Sequence, residues 1–436
     1  MNEINESPAW LLFRGAVDEG EFCRQFYMKH HLIYQDGCFF SPEGRLTEEQ
    51  VRSMIFRELR DHVRSGIGAK VDNCLHTLRY EAAQNCLRDN LNETLYTIHA
   101  ANGEYRILED YFSPMKQLTR FRLPVAYNPQ APMPEIWLNF VGQLLHEEDI
   151  LTLQEFMGYC LIPSTAAQKM LLITGKGGEG KSRIGVVMKA LLGSNMNLGS
   201  IAKVEKSPFA RADLQHQLLM VDDDLKLEAL DQTNYLKSII TAELPMDLER
   251  KGVQSYQGQL FVRFLAFGNG TLQALHDRSY GFFRRQILLE TKERPRDRKD
   301  DPYLGAALQQ EAEGILLWCI EGLKRLLLND MRFTQSKRAR ENLLRSMAQS
   351  NNITEFLRSE GYIRFDPTAQ TSSRALYEVY KDWCLDNAYV PLRPNTFWGF
   401  LNQNLETYRL SVSRTVPIGN DKYARGYLGI ALRSRF

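Results

Sequence analysis

No two of the seven cysteines (Cys23, Cys38, Cys74, Cys86, Cys160, Cys319, Cys384) are spaced as CxxC, and they form no even framework. A zinc knuckle or a disulfide-stapled secreted domain is therefore not expected. No apolar stretch reaches membrane-spanning length without a charged interruption, and the opening MNEINESPAW lacks a basic-then-apolar signal, so the chain is expected to be cytoplasmic with no membrane partner. Nor is there an excess of one charge: 54 Lys and Arg face 53 Asp and Glu. Any contact with nucleic acid must then be local rather than spread over the surface. No internal repeat is visible. What is present is ordinary for a folded protein, with 44% apolar, 25% charged and 11% aromatic residues, and 436 residues exceed what one core organises. Two or three domains are expected.

Helical periodicity dominates from Trp10 to about Asn90, as in EEQVRSMIFREL (Glu48–Leu59), with one aromatic segment, Ile33–Phe40, that reads as strand. Residues 1–122 are thus expected to form a mainly helical domain. The Pro-rich stretch Leu123–Pro134 is a linker, and Glu135–Cys160 resumes apolar spacing at three and four, a helical collar assigned to 135–168. Between Lys169 and Glu290 the apolar runs MLLIT, QLLMV, FVRFLAF and RQILLE alternate with helical or loop segments, the pattern of an α/β nucleotide-binding core. With the helix read over Tyr303–Leu328, this core is assigned to 169–330. The charged run Lys292–Asp301 reads as a solvated linker. In 331–436, a helix over Ser373–Ala388, a second over Asn395–Leu405 and two strand-like runs around Ile418-Gly419-Asn420-Asp421 suggest a winged helix.

Gly175-Lys176-Gly177-Gly178-Glu179-Gly180-Lys181-Ser182 satisfies GxxxxGK[ST] between the strand Met170–Thr174 and the helical run Ile184–Leu192. Such glycines let successive backbone N–H groups curl around phosphates, Lys181 neutralises the β and γ oxygens, and the Ser182 hydroxyl ligates Mg²⁺. The cofactors expected are ATP and Mg²⁺. Downstream, Leu218–Val221 runs into Asp222-Asp223-Asp224, a strand that delivers carboxylates to a metal. Asp222 is expected to hold Mg²⁺ through its water shell and Asp223 to orient the attacking water. A third strand, Phe261–Phe267, ends in Gly268-Asn269, whose amide would face the γ-phosphate. Arg284 and Arg285 follow, either of which can serve as a finger, since charge on a transferring phosphoryl rewards a guanidinium.

Phosphate loop, acidic strand and Asn-tipped strand lie within about a hundred residues, a compact order that resembles superfamily 3 helicases of the AAA+ class. The wider text LQEFMGYCLIPSTAAQKMLLITGKGGEGKS (Leu153–Ser182), the block Phe283-Arg284-Arg285 and Gly314-Ile315-Leu316-Leu317-Trp318 resemble the phage and poxvirus primase-helicase family, from Asn102 onward. The resemblance implies a homo-hexamer on DNA, ATP between subunits, and a hairpin before the Asn strand that grips DNA in the pore. The matching stretch is Glu249-Arg250-Lys251-Gly252, with Lys251 the first choice for the DNA contact and Arg250 the second. Three departures stand out. Asp223 occupies a place where the family more often has Glu; the adjacent Arg284 and Arg285 leave the finger open, with Arg284 preferred on spacing; and the hundred or so residues upstream are too few for a primase domain, so no priming is expected.

The last stretch, Met331–Phe436, carries sixteen Lys or Arg against nine Asp or Glu, a local charge of about +7. Arg393, Asn395, Arg414, Lys422 and Arg425 are the candidate phosphate contacts there, whereas Phe397 and Trp398 read as core. Together these readings describe an α/β protein with an AAA+ phosphate-loop core, an N-terminal mainly helical domain and a C-terminal winged helix. Its expected role is that of an ATP-dependent replicative DNA helicase of a phage, phage satellite or plasmid, working in the bacterial host cytoplasm on single- and double-stranded DNA, with a separate primase or replication protein as a further partner. The alternative is an origin-binding initiator or loader that melts or marks DNA without processive unwinding.

Overall fold

The computed structural model describes residues 8–87, 96–225, 233–269, 280–295, 297, 300–350, 352–359, 361–387, 389, 391–419 and 422–433. They divide into two compact units, the first ending at Arg340 and the second consisting mainly of residues from Glu341 onward.

In the first unit, helices Glu19–His30, Glu48–Leu59 and Ile67–Ala82 pack with a three-stranded antiparallel sheet, β1 (Ile33–Gln35), β2 (Cys38–Ser41) and β3 (Gly44–Leu46). Local chemistry sets the helix starts. Asp18 accepts from Glu21 N–H, and Thr47 and Gln50 form a reciprocal capping box. Trp10, Phe22, Phe26, Val51, Ile55, Leu75 and Leu78 share a core of their own. A second small sheet follows, β4 (Thr97–Ala100), β5 (Gly103–Arg106) and β6 (Tyr111–Ser113). Its Ile98 and Tyr105, with Phe121 and Leu123, belong instead to the core of the α/β layer. The expected mainly helical domain 1–122 therefore differs from the structure in containing six strands and in sharing its last part with the next layer. Strands of three or four residues offer too little alternation to be read from sequence.

The α/β layer is built on five parallel strands: β7 (Met170–Thr174), β8 (Met196–Leu198), β9 (Leu219–Leu225), β12 (Arg263–Gly268) and β13 (Gln286–Glu290), in spatial order β13-β7-β12-β9-β8. Between β9 and β12 in the chain stands an antiparallel hairpin, β10 (Met246–Arg250) and β11 (Val253–Gly258). The four apolar runs read as strands are all present, and β8 is the one that was missed. Helix Ser182–Leu192 lies on the sheet through Ile184, Val187, Met188 and Leu191, all buried. The collar is two helices, Glu135–Leu144 and Glu147–Tyr159. The single helix expected over 303–328 is broken into Leu304–Gln310 and Ala312–Leu328. At the break, Glu311 accepts hydrogen bonds from Ile136 and Trp137 N–H at 3.0 and 2.8 Å, capping the first collar helix.

The second unit contains an antiparallel sheet ordered β14 (Ile363–Ser372), β16 (Tyr423–Leu432), β15 (Ser411–Pro417), with helices Asn352–Leu357, Ser373–Asp386 and Pro394–Gln403. Ile353, Phe356, Leu376, Tyr380, Phe397 and Ile430 form its core. Two helices and two strands of this unit were expected, and β14 was not. The turn residues Asn420 and Asp421 lie outside the described residues.

Among the described residues no helix is long and apolar enough to cross a membrane, and no cluster of His, Cys, Asp or Glu suits a metal ion.

Candidate functional site

In a parallel sheet, ligands settle beyond the carboxyl ends of the strands, next to the point where the strand order reverses. Here that point flanks β7: the chain leaves β7 for β8 at one edge, yet returns from β12 to β13 on the other side of β7. The phosphate loop leaves β7 at this point. Gly177, Gly178 and Gly180 adopt φ of +106°, +78° and +98°, which let the loop wrap inward without a Cβ clash. Its root is tied to the neighbouring strand, Gly175 N–H donating to Gly268 O at 3.1 Å.

The donors of the loop converge on one point. Lys176 and Gly177 N–H approach Glu179 Oε1 at 2.5 and 2.8 Å, and Lys181 Nζ donates to Glu179 Oε2 at 2.8 Å. Glu179 is 3% and Lys181 8% exposed, while Lys176, Gly177, Gly178 and Ser182 are open to solvent. Burial pushes the Glu179 carboxyl up, but hydrogen bonds and charge from Lys181 and the loop N–H groups outweigh it and hold it below the ordinary carboxylate value. Ser182 opens the helix, its hydroxyl beside the positive end of the helix dipole. Three convergent donors and an accessible hydroxyl are the donor set a polyphosphate and its hard cation require.

Asn269 reaches this loop, since a Cβ built on Gly177 would lie 4.0 Å from Asn269 Oδ1. The order of the strands explains why: β12 lies between β7 and β9. The acids of β9 differ in their surroundings. A Cβ on Gly185 would meet Phe267 at 3.5 Å and Val221 at 3.8 Å, so Val221 faces the helix that follows the loop. Alternation then sends Asp222 to the opposite face, and just beyond it the ladder to β12 shifts register. Asp222 is buried and its Oδ2 accepts from Ile201 N–H at 2.8 Å; burial raises its carboxyl despite that bond. Asp223 and Asp224 are exposed where the ladder to β12 is irregular. Asp222 is thus tied to the start of helix Ile201–Lys206, while Asp223 and Asp224 are the exposed carboxylates at the end of β9.

The run expected to be a linker contributes to the site. Lys176 pairs with Glu293, Arg294 Nη1 donates to Gly178 O at 3.1 Å, and Thr291 N–H donates to Thr174 O at 2.9 Å. Arg294 is thus a site residue that sequence reading missed, and its only signal was its place just after the last strand of the sheet. Arg285 is at the other end of that strand: its carbonyl accepts from Met170 N–H at 2.8 Å. The five residues of β7 separate that bond from the loop by about 17 Å. Arg284, exposed, follows the short helix Tyr280–Phe283 and is assigned to the second unit.

Residues 173–285 match the model of a family of unknown function, DUF5906. No curated protein is close enough in sequence to count as a match. Among solved structures the chain is similar to the apo C-terminal region of NrS-1. One form, described as the A form, aligns over 65% of this chain and 65% of that one at 16% identity and a TM-score of 0.42. A second A-form chain aligns over 70% and 77% at 15% and 0.42, and a further apo structure over 95% and 100% at 12% and 0.47. The likeness to the first of these spans just under two thirds of its length.

The hairpin expected before the Asn strand is present, with Lys251 and Gly252 exposed at its tip and Gly252 at φ +76°. Arg250, one residue back, is committed within the chain. It donates to Asp36 O at 2.8 Å and to Gln215 Oε1 at 2.7 Å, and lies over the Tyr256 ring. Around it, Arg120 pairs with Asp36 at 2.7 Å and Arg45 donates to His216 O at 3.3 Å. Burial, then Arg120, Arg45 and Arg250 in turn, push His216 down to about 2. The turn joining β1 and β2 thereby grips the hairpin at Arg250, one residue before its tip. In the second unit, Arg393, Asn395, Arg414, Lys422 and Arg425 are all exposed. Arg393 and Asn395 flank the start of helix Pro394–Gln403, Arg414 lies on β15, Arg425 on β16, and Lys422 in the turn between those strands. Phe397 is buried against Tyr380 and Trp398 stacks on Tyr427, as expected of core residues.

Proposed function

We propose that the chain is an ATP-dependent DNA helicase of a mobile element, an AAA+ phosphate-loop motor of superfamily 3 type working as a ring. The observation that carries this reading is the meeting, at the carboxyl ends of three adjacent parallel strands, of the donor-lined loop, Asn269 and the exposed Asp223. Loop N–H groups and Lys181 bind and orient the phosphates, Asn269 and Asp223 or Asp224 direct a water, and bound Mg²⁺ with Ser182 supplies charge neutralisation. Arg285 stands too far from its own loop to act there, which favours Arg284 or Arg285 completing the site of a neighbouring subunit in a head-to-tail ring. Lys251 at the exposed hairpin tip is the strand-gripping residue, and Arg250 is its internal anchor rather than a DNA contact. The second unit is read as a winged helix whose Arg393, Asn395, Arg414, Lys422 and Arg425 tether duplex DNA.

The decisive test is displacement of a labelled strand from a forked duplex, with and without ATP and Mg²⁺. ATP-dependent displacement is expected. Distortion of duplex without displacement would replace the helicase by an initiator or loader, and DNA binding indifferent to ATP would remove the motor altogether.

A further inference from the structure

An acid inside a phosphate-binding loop is out of place, because its charge opposes the ligand the loop attracts. Here Glu179 does not point away. Its carboxylate is buried at the point where Lys176 N–H, Gly177 N–H and Lys181 Nζ converge, at 2.5, 2.8 and 2.8 Å. The loop closes round it: a Cβ on Gly175 would lie 2.9 Å from the Glu179 carboxyl carbon. These are donors a phosphate oxygen would need, and each N–H serves one strong acceptor at a time. The contacts also favour the ionised carboxylate, so protonation at neutral pH does not release them.

We propose that Glu179 is a resident anion that fills the phosphate cradle and must be displaced by the incoming nucleotide, setting an affinity threshold that anions held by the cradle alone do not reach. This rests on the nucleotide-site reading above. While the carboxylate is seated, only the fraction of molecules with an open cradle can bind, and the apparent affinity falls by that fraction. An open fraction of about one in ten weakens every ligand about tenfold. A nucleotide with its cation, holding on through further contacts, still binds at cellular concentration. Phosphate or pyrophosphate, which depends on the cradle alone, does not. Displacing Glu179 also frees Lys181, so arrival of the phosphate and arming of the lysine become one event.

The test titrates the full chain, as wild type, Glu179→Ala and Glu179→Gln, with fluorescently labelled ADP and with inorganic pyrophosphate, circular dichroism confirming the fold. Both variants are expected to bind labelled ADP about tenfold more tightly and to bind pyrophosphate at concentrations where the wild type does not. Glu179→Gln keeps the shape and serves alone if Glu179→Ala fails to fold. Folded variants that bind both ligands no better than wild type would overturn the proposal while leaving the nucleotide site standing. A wild type that binds no nucleotide would overturn both.

Discussion

Replacing Lys181 by alanine has two consequences that the geometry keeps separate. In the free protein Lys181 is 8% exposed and its ammonium donates to Glu179 at 2.8 Å. A hydrogen bond to a charged group contributes about 1.5–3 kcal/mol, and losing one partner of a buried pair costs more when nothing replaces it. Glu179 keeps the N–H groups of Lys176 and Gly177, so the loss of stability should stay near 2 kcal/mol, a fall of a few degrees in Tm. The effect on turnover should be larger. A preorganised donor aimed at developing charge in a dry site is worth about 2.7–4 kcal/mol, or about 10²–10³ in kcat. Phosphate release at saturating ATP and Mg²⁺, measured beside a thermal melt, should show that loss in a protein that still melts cooperatively. Lys181→Arg should recover stability more than turnover, because the planar guanidinium fork does not reproduce a point charge. Turnover within threefold of wild type in Lys181→Ala would refute the phosphate-binding role.

Three further outcomes follow from the structure. Mixing Arg284→Ala with Lys181→Ala subunits should restore part of the hydrolysis that each lacks alone, since some mixed interfaces regain an intact pair; no recovery in confirmed mixed rings would exclude a finger at Arg284. Lys251→Ala should keep basal ATPase and lose fork unwinding, whereas Arg250→Ala should also lower Tm because it removes two intrachain hydrogen bonds; loss of unwinding only in Arg250→Ala would reverse the two roles. His216, 5% exposed and pushed down to about 2, stays neutral in the fold while the unfolded chain takes up a proton below about 6.5, so its contribution is complete above pH 6.5 and is lost as pH falls toward 2. Stability should drop by about 1.4 kcal/mol per unit over that window, and His216→Gln should flatten the slope of Tm between pH 6.5 and 5; an unchanged slope would show that His216 does not control it.

The sheet strands and the loop were legible because apolar runs between turn residues and a glycine-spaced motif are local signals. Met170–Thr174, Arg263–Gly268 and Gln286–Glu290 could be read directly; Met196–Leu198 could not, being three residues with no alternation to count. Which surroundings an acid takes depends on the register of β9 against its neighbour, and that is a long-range fact: Asp222 and Asp223 look equivalent in sequence, yet one is buried against the start of a helix and the other is exposed. Arg294 was hidden for the same reason, its carbonyl partner at Gly178 lying 116 residues away. The run Lys292–Asp301 reads as solvated because nothing in its composition reveals a neighbouring loop.

The bond between the β1–β2 turn and Arg250 also bears on how this chain can change over time. Gly37 sits at φ +78°, where an L side chain is strained, and a Cβ there would come within 2.6 Å of Arg250 Nη1 and push the guanidinium from its place. The tip of the hairpin carries no such tie. Drift at the exposed Lys251 changes one residue at a time, while position 250 is locked to Asp36, Gly37 and Gln215 as a group. Exchanging the N-terminal domain for that of a relative would have to carry the matching hairpin residue at position 250 with it, and a chimera that joins one without the other should lose the tie that holds the hairpin just below its tip.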